Sequence, residues 1–266
     1  MIKVNQGAIV AKRLPVLSRE NGFQQEYMPI LLDAVKQFRS GLNTTFHSIY
    51  LNGSVARRDA VWGKSDVNFT LVVKKKLQSS EESVLSAITW RLSQHYPHVS
   101  KVTTKVVVLD DVLGLAGIFE WGVWLKHCSV CLNGDDLASR FGHFEISWDI
   151  ARTLNGDIKT QLSDYRQKIM KTKVTENYLD YCEHIGKKMI WSAYCLVLHR
   201  KQQWELDINK AADVFLELFP EHLMDIERSF ILASRTQVPK KAAIFLMDQF
   251  GGWLVEEFDR INRRIG

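Results

Sequence analysis

The sequence predicts an α+β protein, with strands and helices sharing the first half of the chain and helices alone filling the second. Three observations predict it. Residues Asp66 to Val73 alternate strictly: Asp66, Asn68 and Thr70 fall on one side, and Val67, Phe69, Leu71 and Val73 on the other. That is the two-residue period of a strand with one face on a core and one face lining something polar. In the second half, apolar residues recur at helical spacing, as in Ile185, Met189, Ala193 and Leu196. Between the two regimes lies a turn-rich LNGDDL stretch, which puts a boundary near Phe141 to Ile146 and gives domains 1–143 and 144–266. Two packed domains leave a cleft between them, where ligands commonly sit.

Each element has its own signal. Tyr27, Leu31, Val35 and Phe38, widened by Ile30, form the stripe of a first helix. A strand follows at about His47 to Leu51 and ends at Gly53-Ser54. After the alternating strand, a helix is predicted from about Glu81 to Gln94 and a third strand from about Thr103 to Leu109, stopped by Asp110-Asp111. In the helical half, Ala211, Val214, Phe215 and Leu218 form a stripe that Pro220 ends. Met247, Phe250, Leu254, Phe258 and Ile261 form another, weakened by Gly251-Gly252.

Bulk properties narrow the class. The chain has 266 residues, 46% hydrophobic and 24% charged, ordinary values for a globular protein able to bury a core without staples. Cys128, Cys131, Cys182 and Cys195 are too few and too irregular for a disulfide scaffold, so a cytoplasmic location is expected. The C-x-x-C pair lacks the second pair that zinc needs, and the histidines form no metal-spaced motif. The N-terminal apolar piece is too short for a signal sequence, and the longest apolar stretch cannot span a bilayer. A net charge of +5 suits a phosphate-bearing ligand but not a dedicated nucleic-acid binder.

The segment GSVARRDAVWGKSDVNF (Gly53 to Phe69) carries the chemistry. Gly53 lets backbone approach a phosphate closely, and Ser54 adds a hydroxyl and an N–H at a helix start. Moving a nucleotidyl group also needs metal-holding carboxylates, and two of them at i and i+2 on a strand share a face. Tyr50-Leu51-Asn52-Gly53-Ser54, Ala56-Arg57-Arg58-Asp59 and Ser65-Asp66-Val67 together resemble the polymerase-β-like nucleotidyltransferase superfamily, and within it the bacterial enzymes that adenylylate aminoglycosides. Phe119 to Leu137 looks like that family's helix leading to a Tyr-Gly-Glu-Asp-Leu-type turn, and Lys187 to Trp204 with the Ala211 helix looks like its C-terminal bundle, so the likeness runs from about Phe38 to Pro220. The resemblance implies a mixed sheet with flanking helices followed by a helical bundle. It also implies ATP as substrate, Mg²⁺ as cofactor and a small-molecule hydroxyl as acceptor. Gly53 and Ser54 would then hold phosphates and Asp66 the metal.

The pattern fails at two places. Asn68 stands where the second carboxylate belongs, and Lys105, or Thr104 with a one-residue slip, stands where the third belongs. Arg58 also replaces the loop's usual glycine. Lys105 puts a positive charge where a metal ion should sit, and it can neutralise a triphosphate directly, which preserves binding better than turnover. Asp110, Asp111 and Glu120 are the candidate replacement acids, with Glu145 and Asp149 as candidate bases near the domain junction. Three readings follow: a protein that binds a nucleoside triphosphate in the interdomain cleft and, if active, transfers AMP to a small-molecule hydroxyl; an inactive pseudo-nucleotidyltransferase that acts as a nucleotide sensor or binding partner; and a transferase that acts on a separate protein partner.

Overall fold

The computed structural model describes residues 13–18, 20 and 22–265, which divide into two compact units. The first runs from Leu14 to Phe144, and the second comprises Arg13 and the chain from Glu145 onward.

In the first unit, α1 (Met28–Leu42) leads into β1 (Phe46–Asn52), a one-turn α2 (Ser54–Arg57), β2 (Val67–Val73), α3 (Ser79–His95) and β3 (Val102–Val108). A short α4 (Leu109–Leu113), a π-helical turn at Ile118–Gly122, α5 (Val123–His127) and β4 (Ser129–Gly134) complete it. The four strands form one mixed sheet in the order β3-β2-β1-β4, with β1 antiparallel to both neighbours and β2 parallel to β3.

The expected stripe of α1 is the face that closes the core. Tyr27, Ile30, Leu31 and Phe38 are buried, together with Ile49, Leu51, Val67, Phe69, Leu71 and Val73 from the sheet. Burying a large side chain of this kind contributes about 1.5–3 kcal/mol each. Phe38 meets Phe69 edge to face, with ring centroids 5.8 Å apart. The opposite sheet face carries a smaller cluster of Tyr50, Val72, Val107, Trp121 and Leu125.

β4 departs from the sequence reading, in which Phe119 to Leu137 is a helix leading to a turn. The helix stops at His127, and Ser129–Gly134 pairs with β1. Six residues are too short for periodicity to separate strand from helix, and the partner strand lies far away in sequence.

The second unit is helical: α6 (Trp148–Asn155), α7 (Ile158–Lys171), α8 (Thr175–Lys201), α9 (Ile208–Leu216), α10 (Leu223–Ala233), α11 (Lys240–Leu246) and α12 (Gly252–Ile265). α8, 27 residues long, is its axis, and α6, α7, α9, α10 and α12 pack against it. At Gly186 a β-carbon would lie 2.6 Å from the Ser229 carbonyl oxygen, so only glycine lets α8 and α10 approach this closely. Arg235, at φ +60°, ties the C-terminal side of α10 to Glu176, Asp180 and Glu183 of α8. Of the glycine pair that weakens the last predicted stripe, Gly251 ends a π-helical turn, Met247–Gly251, which joins α11 to α12, and Gly252 begins α12. No described helix is long and apolar enough to cross a membrane.

Candidate functional site

The site begins where β1 ends. Gly53 has φ +80° and ψ −160°, and a β-carbon there would lie 3.0 Å from Asn68 Nδ2. The conformation demands glycine, and an added β-carbon would also oblige the Asn68 amide to give by a few tenths of an ångström. The chain then enters α2 at Ser54, which is half-buried, and the Arg57 N–H donates to the Gly53 carbonyl at 3.1 Å.

Arg58 explains a departure in the loop. Its backbone is left-handed, at φ +70°, the conformation for which glycine is preferred. The guanidinium holds the turn in place: Nε donates to the Gly22 carbonyl at 2.5 Å, Nη1 to that of Ala56 at 3.1 Å and Nη2 to that of Ser18. It also stands 5.3 Å from the centre of the Phe23 ring.

The strand register sets two rungs of side chains across the polar sheet face. One reads Thr103, Asn68, Asn52, Ser129, and the other Lys105, Thr70, Tyr50, Cys131. Neither rung contains a carboxylate. On the first, the Thr103 hydroxyl donates to Asn68 Oδ1 at 2.5 Å, so the amide's N–H₂ end faces the Gly53 turn. On the second, Thr70 Oγ1 accepts from Asn52 Nδ2 and from the Trp124 indole N–H, both at 3.1 Å. Lys105 Nζ lies 4.4 Å from the centre of the Trp121 ring, 5.7 Å from that of Trp124 and 3.8 Å from Glu120 Oε1. Indole faces attract an ammonium electrostatically, worth about 0.5–1 kcal/mol at an exposed position. Thr104, the one-residue-slip candidate, lies off these rungs, with its hydroxyl 3.4 Å from Thr89 of α3.

Asp66 precedes β2. Its carboxylate accepts from the Ser100 hydroxyl in the segment leading to β3. The Val67 N–H donates to the Lys101 carbonyl at 2.9 Å, which fixes this junction. Tyr50 clasps the LNGDDL turn: its hydroxyl accepts from the Leu137 N–H at 2.7 Å and donates to Asp136 Oδ1 at 3.2 Å. Burial pushes its phenol well above the usual range.

Two magnesium ions would need several converging hard oxygen ligands. Here Asn68 Oδ1 is engaged by Thr103, and the neighbouring rung position holds an ammonium. Among the described residues no three histidines, cysteines or acids cluster as a metal site. The residues present do not fit a two-metal centre.

None of the candidate replacement acids lies on these two rungs. Asp110 and Asp111 are exposed in the first turn of α4, and Glu120 pairs with Lys105. Asp149 pairs with Arg152 at 3.1 Å, and exposed Glu145 forms a bridge with Arg13. Sequence reasoning missed the parts played by Thr103, Asn52 and Ser129, because a rung across four strands is defined by register. The spacing of Trp121 and Trp124, one helical turn apart, was the available signal for the indole pair beside Lys105.

These elements form an α+β unit with a mixed four-stranded sheet, followed by a helical C-terminal region, and that fold is shared with a solved adenyltransferase. In fold the chain is similar to the crystal structure of spectinomycin adenyltransferase AAD(9) from Enterococcus faecialis with ATP and spectinomycin, at a TM-score of 0.57 and 11% identity, over 87% of this chain and 98% of that one. No family model matches the sequence, and no curated protein matches it.

Proposed function

We propose that this chain is a pseudo-nucleotidyltransferase that binds a nucleoside triphosphate without the two-metal centre of an active enzyme. The observation that supports this reading is the register that sets Asn68 and Lys105 on adjacent rungs of one sheet face, at the positions where the resemblance expects acids. An amide N–H₂ facing the Gly53 turn is a donor for a phosphate oxygen, where a carboxylate without metal would repel it. Lys105 supplies fixed positive charge, and Gly53 and Ser54 supply close backbone approach and a hydroxyl. The similar adenyltransferase was crystallised with ATP, which agrees with a nucleotide as ligand.

The test is calorimetric titration with ATP, with Mg²⁺ and with a chelator. Chelation is expected to change the dissociation constant by less than about tenfold, or ~1.4 kcal/mol. A larger loss of affinity would show that a metal ion is integral to binding. Ser54→Ala is expected to weaken binding by roughly 0.5–1.5 kcal/mol, the worth of one hydrogen bond. Unchanged affinity in that variant would remove the turn from the site.

A second reading is transfer of AMP from Mg-ATP to a hydroxyl on a small molecule. It is supported by the retained Asp66 and by Glu120, 3.8 Å from Lys105. Release of pyrophosphate from Mg-ATP in the presence of an aminoglycoside-type acceptor, abolished by Asp66→Asn, would establish it.

A further inference from the structure

β3 is an edge strand: its inner side pairs with β2, and among the described residues no strand pairs with its outer side. An edge of this kind is a template for another strand unless the protein covers it. Here it opens into a groove of about 770 Å³. Val106 and Val108 of β3 line the groove together with Leu85 of α3, and Trp121 lines it as well. Leu115, 89% exposed, also lines it. A further strand would lie roughly 4.7–4.9 Å from β3, with alternate side chains directed toward the α3 wall and the Trp121 wall.

Charge selects the occupant. Glu82, Asp110, Asp111 and Glu120 line the groove with Lys76, and since Glu120 is paired with Lys105, three acids face one cation. The chain as a whole carries +5, so this edge is a local reversal of sign. Pairing of two copies edge to edge would bring like-charged clusters together, which is unfavourable. A basic segment gains on both counts, since its backbone completes the ladder and its cations meet the acids.

We infer that the outer edge of β3 is a docking site for an extended segment of a partner protein in which lysine or arginine alternates with apolar residues. This does not rest on the nucleotide reading: it needs only the free edge and the acidic groove.

The probe is a fluorescein-labelled peptide of alternating lysine and valine, titrated with the full-length protein and followed by anisotropy. Three comparisons define the result: the same peptide with alternate backbone nitrogens methylated, a glutamate–valine counterpart, and the protein variant Asp110→Asn/Asp111→Asn. The expected result is saturable binding of the lysine peptide, weakened at least ~tenfold by N-methylation and by the double substitution, with no binding of the glutamate peptide. Equal binding of the methylated peptide would overturn the proposal, because the attraction would then be charge alone. Undiminished binding by the variant would overturn it too, as would a concentration-dependent dimer that the peptide does not dissociate. If the variant fails to fold, the methylated peptide against the native chain still decides. ATP affinity in the variant is expected to be unchanged, which keeps failure here distinct from failure of the nucleotide proposal.

Discussion

Gly53 carries two constraints at once, a backbone region essentially reserved for glycine and a contact with Asn68. Gly53→Ala is therefore expected to cost about 1–3 kcal/mol, read as a lower urea midpoint with an unchanged slope. Asn68 permits a sharper experiment. Its amide oxygen is held by Thr103, and an aspartate of the same shape would keep that bond. The new carboxylate would, however, share its sheet face with the Lys105 ammonium. Asn68→Asp alone is expected to show little response to Mg²⁺, whereas Asn68→Asp with Lys105→Glu is expected to gain melting temperature on Mg²⁺ addition, because a ligand that binds only the folded state stabilises it. Melting curves of wild type, both single variants and the double variant, with and without Mg²⁺, check this. A folded double variant that ignores Mg²⁺ would show that these positions do not converge on one ion, and a shift in the wild type would point to other acids.

At the level of elements, the start of α3 is tied to the strand layer through one carboxylate. Glu81 accepts from the Thr45 hydroxyl at 2.6 Å and from the Gln78 backbone N–H at 2.8 Å. The Thr45 bond, with the Gln78 N–H second, holds the Glu81 carboxyl below its ordinary value. A carboxyl with a lowered folded pKa contributes stability that is complete above the unfolded value and is lost as pH falls through the folded one. Glu81→Gln is therefore expected to melt lower than wild type at neutral pH, with the gap closing on the acid side of the usual glutamate range. A gap that stays constant with pH would show that the carboxylate's charge is immaterial. The same level shows what sequence can convey. β2 was legible because one of its faces is uniformly apolar while Asn68 and Thr70 break the other. α1 was legible because its stripe from Tyr27 to Phe38 meets a single core. Gly53 and Ser54 were legible because a turn with such backbone geometry leaves a residue signature. β4 was not, because Ser129–Gly134 becomes a strand only through a partner at Ser48–Asn52. The rungs were half legible: parity along β2 put Asn68 and Thr70 together and the resemblance named Lys105, but only the parallel register sets Thr103 beside Asn68 and Lys105 beside Thr70.

For the whole molecule, acid is the expected weakness. Burial lowers the pKa of His47 and His127 in the first unit and of His184 and His199 in the second. His127 is fully buried, with Nδ1 2.7 Å from the Pro15 carbonyl oxygen. A histidine with a depressed folded pKa binds its proton more readily in the unfolded chain, so stability is complete above the unfolded value of about 6.5 and falls as pH drops through that region. Melting temperature is expected to be flat above neutrality and to decline below about pH 6.5, with a shallower decline in His127→Gln. A flat profile down to the carboxylate range would mean the histidines protonate without cost. The placement of β1 also bears on how the chain is made. β1 is interior to the sheet, yet its two partners emerge from the ribosome at very different times: β2 follows it closely, whereas β4 begins only at Ser129. At roughly 5–20 residues per second, the flank of β1 that β4 will cover waits on the order of 4–15 seconds during synthesis. During that interval the nascent strand Phe46–Asn52, almost wholly buried in the finished protein, carries an unpaired backbone edge that is a template for another strand.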